Sequence, residues 1–299
     1  MTRLAISAYD LSPEEFLALA SCAEAAGISR LWIGEHLFWP ANYASVHPTG
    51  GGHPTEEKQE HAKPVVGPET HLNDTFALLG ALAATTTTLE LATGIYIAPL
   101  RHPLLTVRGA LTVAEISKGR FSLGLGAGWL EEEFTALDAP YSQRGKALDE
   151  TIAVLRAAAT GEPFAHAGEV YSFDAVSFEA PNYRLPIVTG GNTPRALRRA
   201  AHLADGWANS ASITLEYAKE LRDALNAARR EAGTADRAFE FSVRPESADL
   251  DEVSSFVDAG FENVIVWAHH FWPAHGVSNL DDACAEATEA MRALVEGIS

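Results

Sequence analysis

The chain has 299 residues, 47% hydrophobic and 21% charged, enough apolar material for one large α/β domain or two medium ones. Its 22 basic residues face 40 acidic ones, and the resulting net charge of −18 argues against non-specific attraction to nucleic acid or anionic membrane. No apolar run reaches a membrane span, no signal core opens the chain, and the two cysteines, Cys22 and Cys284, lie far apart, so the expectation is a cytoplasmic protein with reduced, buried thiols.

Strand and helix signals alternate along the chain. Residues 4–7 read as a short buried strand, after which Ser12-Pro13-Glu14-Glu15 opens a helix with a capping serine, a proline at its first position and an acidic first turn. Phe16, Leu19, Ala20 and Ala23 give that helix its apolar face, and Gly27 stops it. The pattern then predicts a strand over 31–33, a helix over 72–87, a strand over 89–93 and a helix from Pro103 to Lys118-Gly119. A fourth strand follows over 121–125, a helix over 144–160, and a fifth strand over 187–189 that runs into Gly190-Gly191. Helices over 194–204, 215–232, 250–259 and 281–296 separate and follow the last strands, 206–208, 239–243 and 263–267.

Eight strands, each followed by helix, predict a (β/α)8 TIM barrel, a single domain over 1–299. Two segments exceed a plain barrel: 34–71, a lid-like loop with Gly50-Gly51-Gly52, and 161–186, an insertion whose alternating Tyr171, Phe173, Val176 and Phe178 suggest a hairpin.

The C-terminal rim of such a barrel is where active sites assemble. Glycines stand there after the third strand (Gly94), along and after the fourth (Gly124, Gly126, Gly128) and after the fifth (Gly190, Gly191), so that backbone can approach a flat ligand. Gly34-Glu35-His36 ends the second strand with a carboxylate and an imidazole side by side, a pair suited either to proton relay or to a plain surface salt bridge. Thr93-Gly94-Ile95 suits a bulge or a simple strand-to-loop turn. Gly190-Gly191-Asn192-Thr193-Pro194 opens a helix and reads as an anion site on free backbone N–H groups, or as an ordinary N-cap. His47, His53, His61 and His71 fit no tight ligand spacing and no His-x-His follows the first strand, so no metal is expected. Glu131-Glu132-Glu133 reads as the acidic first turn of a helix. The Gly124-x-Gly-x-Gly128 run lacks the acidic strand end of a dinucleotide fingerprint, and neither a Gly-x-Ser-x-Gly elbow nor a P-loop occurs.

Taken in order, Leu31-Trp32-Ile33-Gly34-Glu35-His36, Pro99-Leu100-Arg101-His102-Pro103, Gly119-Arg120-Phe121, Gly124-Leu125-Gly126-Ala127-Gly128-Trp129, Glu132-Glu133-Phe134, Arg144-Gly145, Gly190-Gly191 and Ala204-Asp205-Gly206-Trp207 resemble the bacterial luciferase-like monooxygenase superfamily. The nearest likeness is to its deazaflavin (coenzyme F420)-dependent oxidoreductase branch. That resemblance implies a TIM barrel of the luciferase-like type, with the cofactor ring against Thr93, Gly94 and Ile95, a non-proline cis peptide at Gly94-Ile95, and Gly126 and Gly128 adjoining. Phosphate would sit on Gly190, Gly191, Asn192 and Thr193. His36 would donate a proton or touch the ring, with Glu35 as its orienting partner; Trp39 and Trp129 would wall the substrate pocket, and residues 40–69 would form a lid.

The implied activity is hydride transfer between reduced F420 and an organic, apolar substrate, without oxygen. The alternative on the same fold is an FMN-dependent monooxygenase using oxygen and a partner reductase. A flavin-binding barrel without catalysis is more distant, and a zinc hydrolase lacks its strand-one ligands. The resemblance also implies a homodimer through helices flanking strands two to four, and a flavin or F420 reductase that supplies reduced cofactor. Three features depart from or qualify the pattern. Glu35 stands where deazaflavin enzymes often carry aspartate, Asp138 stands where relatives usually have glycine, and only Arg101, Arg195, Arg198 and Arg199 offer a local basic groove.

Overall fold

The structure, a computed structural model, describes residues 2–45, 69–273, 277 and 279–298. Its strands in chain order are β1 (Arg3–Ala8), β2 (Arg30–Ile33), β3 (Glu90–Thr93), β4 (Tyr96–Ile97), β5 (Phe121–Gly126), β6 (Phe164–Ala167), β7 (Ser172–Val176), β8 (Ile187–Gly190), β9 (Gly206–Ala208), β10 (Glu240–Val243) and β11 (Asn263–Trp267). The helices are α1 (Pro13–Ala26), α2 (Thr75–Thr85), α3 (Pro103–Ile116), α4 (Glu131–Ala136), α5 (Arg144–Ala158), α6 (Pro194–Leu203), α7 (Leu215–Glu231), α8 (Leu250–Asp258) and α9 (Leu280–Gly297). Strands β3, β2, β1, β11, β10, β9, β8 and β5 lie side by side in that order, and a β3–β5 pairing closes the ring. The predicted barrel is therefore the observed one, with β4 as a short continuation beyond β3.

The helix starts follow the predicted chemistry. At α1 the Ser12 N–H donates to Glu15 Oε2 at 2.8 Å while Ser12 Oγ accepts from the Glu15 N–H at 3.2 Å, a reciprocal capping box. Asp74 caps α2 by accepting from the Ala77 N–H at 2.8 Å. The insertion is an antiparallel hairpin of β6 and β7. Its turn is gathered by Glu150, whose carboxylate accepts from the amides of Glu169, Val170 and Tyr171.

Alternation along each strand stacks the barrel interior in layers. At the bottom, Arg30 donates to Glu90 at 2.7 Å and to Glu240 at 3.1 Å, while Arg3 also pairs with Glu90. Burial disfavours both partners' charge, yet Arg30 holds the Glu240 carboxyl below its usual range. One layer higher, Ala5, Trp32, Ala92, Val188, Ala208 and Ile265 form an apolar plug. Two residues further along the same strands come Ser7, Gly34, Gly94, Gly190, Ser210 and Trp267, which floor the mouth, and Arg244, just past β10, joins them against Trp267.

One expectation fails. Cys22 on α1 and Cys284 on α9 are joined as a disulfide, with Cα atoms 5.6 Å apart across a sequence separation of 262. Closing the barrel sets its first and last helices side by side, and sequence distance carries no information about that contact. Among the described residues no helix is long and apolar enough to cross a membrane.

Candidate active site at the barrel mouth

Beyond Thr93 the chain turns through a cis peptide between Gly94 and Ile95. The glycines around it serve that turn directly. A methyl on Gly124 would lie 1.9 Å from the Thr93 carbonyl oxygen, and one on Gly126 would lie 1.5 Å from Ile95 Cδ1. On Gly190 it would meet Ile95 Cγ2 at 3.0 Å. The space these glycines vacate is filled by Ile95 and the end of β3, so their first role is to seat the shelf rather than to face a ligand. Gly128, at φ +79°, likewise leaves room for Ile97 and Phe134, and Arg144 Nε donates to its carbonyl at 3.2 Å.

Glu35 and His36 point to different partners. Glu35 is buried and its carboxylate is saturated: it accepts from Thr75 Oγ1 at 2.7 Å, the Ile97 N–H at 2.7 Å, and both terminal nitrogens of Arg101 at 3.1 and 2.7 Å. It ties α2, β4 and the segment before α3 together just past the cis peptide. The expectation that Glu35 orients His36 is thereby corrected. The carboxylate on His36 is Glu133, wholly buried, with Oε2 at 2.9 Å from Nδ1 and Oε1 accepting from the Leu37 N–H at 2.9 Å.

The acidic run is thus more than a helix start. Glu132 Oε1 accepts from the Ala44 and Ser45 amides, so consecutive glutamates of α4 hold both ends of the described part of the segment after β2. Carboxylates that fasten an anterior loop had no signal in the sequence beyond their lying next to the glycine row. The imidazole of His36 sits edge-on to Trp39 at 5.9 Å and to Trp129 at 5.8 Å between ring centres. Among the described residues Trp39 Nε1 is buried without a hydrogen-bond partner. Most of the predicted lid, with His47, His53 and His61, lies outside the described residues; His71 is described, and its N–H donates to Asp10 Oδ1. No group of three or more metal-ligating side chains forms among the described residues.

At the fifth barrel strand, Gly191 takes φ +116°, and a methyl there would stand 3.0 Å from Ala196 Cβ. Its carbonyl accepts from Trp207 Nε1 at 2.8 Å, which explains the Asp205-Gly206-Trp207 motif. Thr193 is the N-cap of α6, and Asn192 braces the next rim loop by exchanging hydrogen bonds with the Ser210 backbone at 3.1 and 3.0 Å. The side chains of both are therefore occupied. Among the described residues the backbone N–H groups of Asn192 and Thr193 make no hydrogen bond. Of the arginines expected to form a basic groove, Arg101 is spent on Glu35 and Arg199 on Asp149, which leaves Arg195 and Arg198 exposed near this helix start. Asp138 takes φ +53°, the left-handed conformation that favours glycine.

The barrel rim thus carries an imidazole–carboxylate pair and, at the start of α6, two unbonded backbone N–H groups among the described residues, the architecture of a TIM-barrel enzyme. The chain belongs to the luciferase-like monooxygenase family, whose model matches residues 2–248. An uncharacterised protein of Mycobacterium tuberculosis is 32% identical over 256 residues, 84% of each chain. The 5,10-methylenetetrahydromethanopterin reductase of Archaeoglobus fulgidus is 28% identical over 226 residues, 72% of this chain and 65% of that one. In fold, the coenzyme F420 dependent tetrahydromethanopterin reductase of Methanopyrus kandleri superposes with a TM-score of 0.68 at 16% identity, covering 96% of this chain and 97% of that chain.

Proposed function

We propose that the chain is an oxidoreductase that moves a hydride between the reduced deazaflavin coenzyme F420 and an organic substrate. Family membership supports the class, and the likeness to a methylenetetrahydromethanopterin reductase supports the branch. The observation that carries the reading is the His36–Glu133 pair, its imidazole edge-on to Trp39 and Trp129.

The residues present fit such a cofactor. The unbonded amides of Asn192 and Thr193 lie at the positive end of α6, where a phosphate is favoured. Gly191 brings backbone close, Arg195 and Arg198 flank the approach, and Thr93, Gly94 and Ile95 form the shelf for a flat ring. When bound, the coenzyme supplies the hydride; the chain supplies orientation and the proton.

Reduction of a carbonyl needs one proton at oxygen for each hydride at carbon. With Nδ1–H donated to Glu133, His36 keeps Nε2 free to hold that proton and release it. Trp39 and Trp129 shield this edge from water and wall the substrate side. A separate reductase would restore the reduced coenzyme. Leu105 and Ile116, exposed on α3 beside the third and fourth barrel strands, support the homodimer through that flank.

Titrating the protein with F420 and with FMN, read by fluorescence, tests the reading. Tight binding of F420 with weak FMN binding is expected; preference for FMN would replace hydride transfer by the oxygen-using alternative.

A further inference from the structure

The floor of the mouth is asymmetric. On β2, β3 and β8 it is glycine (Gly34, Gly94, Gly190), whereas on the opposite arc it is Ser7, Arg244 and Trp267. Arg244 is 6% exposed, follows β10, and lies with its guanidinium carbon 4.1 Å from the centre of the Trp267 ring. Its main chain is pinned: the N–H donates to Asn209 Oδ1 at 2.8 Å and the carbonyl accepts from the Ile213 N–H at 2.9 Å. No carboxylate pairs with its side chain among the described residues, and its Nε is buried without an acceptor. The other buried arginines have acceptors for their terminal nitrogens, Arg30 in two glutamates and Arg229, whose Nε is also unmet, in three backbone carbonyls.

Two more orphans gather beside it. Among the described residues Ser7 Oγ and Trp272 Nε1 are buried with no partner, and both residues line a cavity of about 80 Å³ shared with Tyr9, His269 and Trp267, the ring over which Arg244 lies. Buried polar groups in native proteins are almost always hydrogen-bonded, so unmet groups on the neighbouring ends of β10, β11 and β1 call for an explanation. Guanidinium and indole N–H only donate, and a hydroxyl donates as readily as it accepts. What satisfies the unmet guanidinium is an acceptor carrying negative charge, because a water molecule leaves the cation uncompensated. Burial draws the Arg244 guanidinium down to about 10, which leaves it charged at neutral pH. In a chain of net charge −18, an unpaired buried cation is a costly feature to keep without a ligand.

We propose that Arg244 heads an oxyanion pocket, next to the cavity that Ser7 and Trp272 line, that takes a carboxylate or phosphate group of the substrate, across the mouth from the glycine shelf. The assignment of the anion to the substrate rests on the hydride-transfer reading; the pocket itself does not. The substrate is then an organic molecule with an apolar body against the indoles and an anionic end at Arg244, rather than an apolar molecule throughout.

The test uses the protein without cofactor. Thermal midpoints are measured against sodium phosphate and sodium acetate, with ionic strength held constant by sodium chloride, for wild type, Arg244→Met and Arg244→Lys. A saturable rise in wild type is expected with at least one oxyanion, with apparent affinity weakened ~10-fold or more in Arg244→Met and less in Arg244→Lys. A stronger response to phosphate than to acetate identifies a phosphate monoester, and the reverse identifies a carboxylate. No rise beyond that of chloride, or an equal rise in Arg244→Met, overturns the pocket. F420 titration of the same variants separates the two readings: unchanged F420 affinity in Arg244→Met assigns the anion to the substrate. A matching loss assigns the site to the cofactor and overturns the proposal, while absence of F420 binding to wild type sinks only the cofactor reading.

Discussion

His36 and Glu133 stand 97 residues apart in sequence and are joined by a 2.9 Å contact between imidazole Nδ1 and a wholly buried carboxylate. A carboxylate at that place accepts, so the contact favours the tautomer with the hydrogen on Nδ1, and Nε2 has no hydrogen-bond partner among the described residues. In Glu133→Gln one oxygen becomes an NH2 group, so either the Leu37 amide or Nδ1 loses its acceptor, and the ring is pushed toward the opposite tautomer. Turnover in Glu133→Gln is expected to fall by at least about 10-fold, with F420 affinity changed only a few fold. Steady-state kinetics over a pH series, with 15N imidazole spectra, checks both; a wild-type pH profile and tautomer would remove Glu133 from this role.

His36→Ala should lower turnover by roughly 10²–10⁴-fold while the protein still binds cofactor, because general acid–base groups contribute in that range. Single-turnover rates with bound coenzyme provide the readout, and an unchanged rate places the proton elsewhere.

Ile95 and Gly126 offer a packing test. Gly126→Ala inserts a methyl where Ile95 Cδ1 already lies, and overpacking of that kind costs ~1–3 kcal/mol. Ile95→Ala alone leaves a cavity and also destabilises. The double variant should be less destabilised than the sum of the two, as urea unfolding of the four proteins would show; strict additivity would mean that the two sites do not share this space.

Glu24 governs acid stability at the α2–β3 turn. Burial alone would raise its carboxyl, but the amides of Thr88, Leu89 and Thr87 and the Thr88 hydroxyl outweigh burial and bring it down to about 2. A depressed folded-state value stabilises the fold above the ordinary carboxylate range, and that contribution fades as pH falls from about 4.5 toward 2. Glu24→Gln should therefore lower stability at neutral pH and flatten its acid dependence in that window. Denaturant midpoints from pH 7 to pH 2 test this, and parallel curves for the two proteins would contradict it.

Reducing the Cys22–Cys284 bond frees α1 from α9. Thiol reduction, or Cys22→Ser, should cost about 2–5 kcal/mol, since a long closed loop restricts the unfolded chain. Calorimetry with and without a phosphine reductant measures the loss, and identical melting curves would argue against a bonded pair in solution.

The barrel was legible because each helix start and each buried strand carries its own local chemistry, as Ser12-Pro13-Glu14-Glu15 and the 121–125 run illustrate. The cis peptide at Gly94-Ile95 was reached through family likeness, and the glycine row through composition, yet the reason for the row was not legible. What fills the gaps at Gly124 and Gly126 is Thr93 and Ile95, an arrangement set by how β3 and β5 meet. Glu133 was hidden for a related reason: an acidic helix start and a buried histidine partner look alike until α4 is folded against the segment after β2. Contacts made only by closure, such as Cys22 with Cys284, leave no local trace.

The ionic cluster of Arg3, Arg30, Glu90 and Glu240 under the apolar plug has a kinetic consequence. With the lower end shut, traffic through the barrel has one doorway. Whatever seats deeper must arrive first and leave last, so coenzyme and substrate are expected to follow a compulsory order, and product escape competes with the next arrival for the same passage.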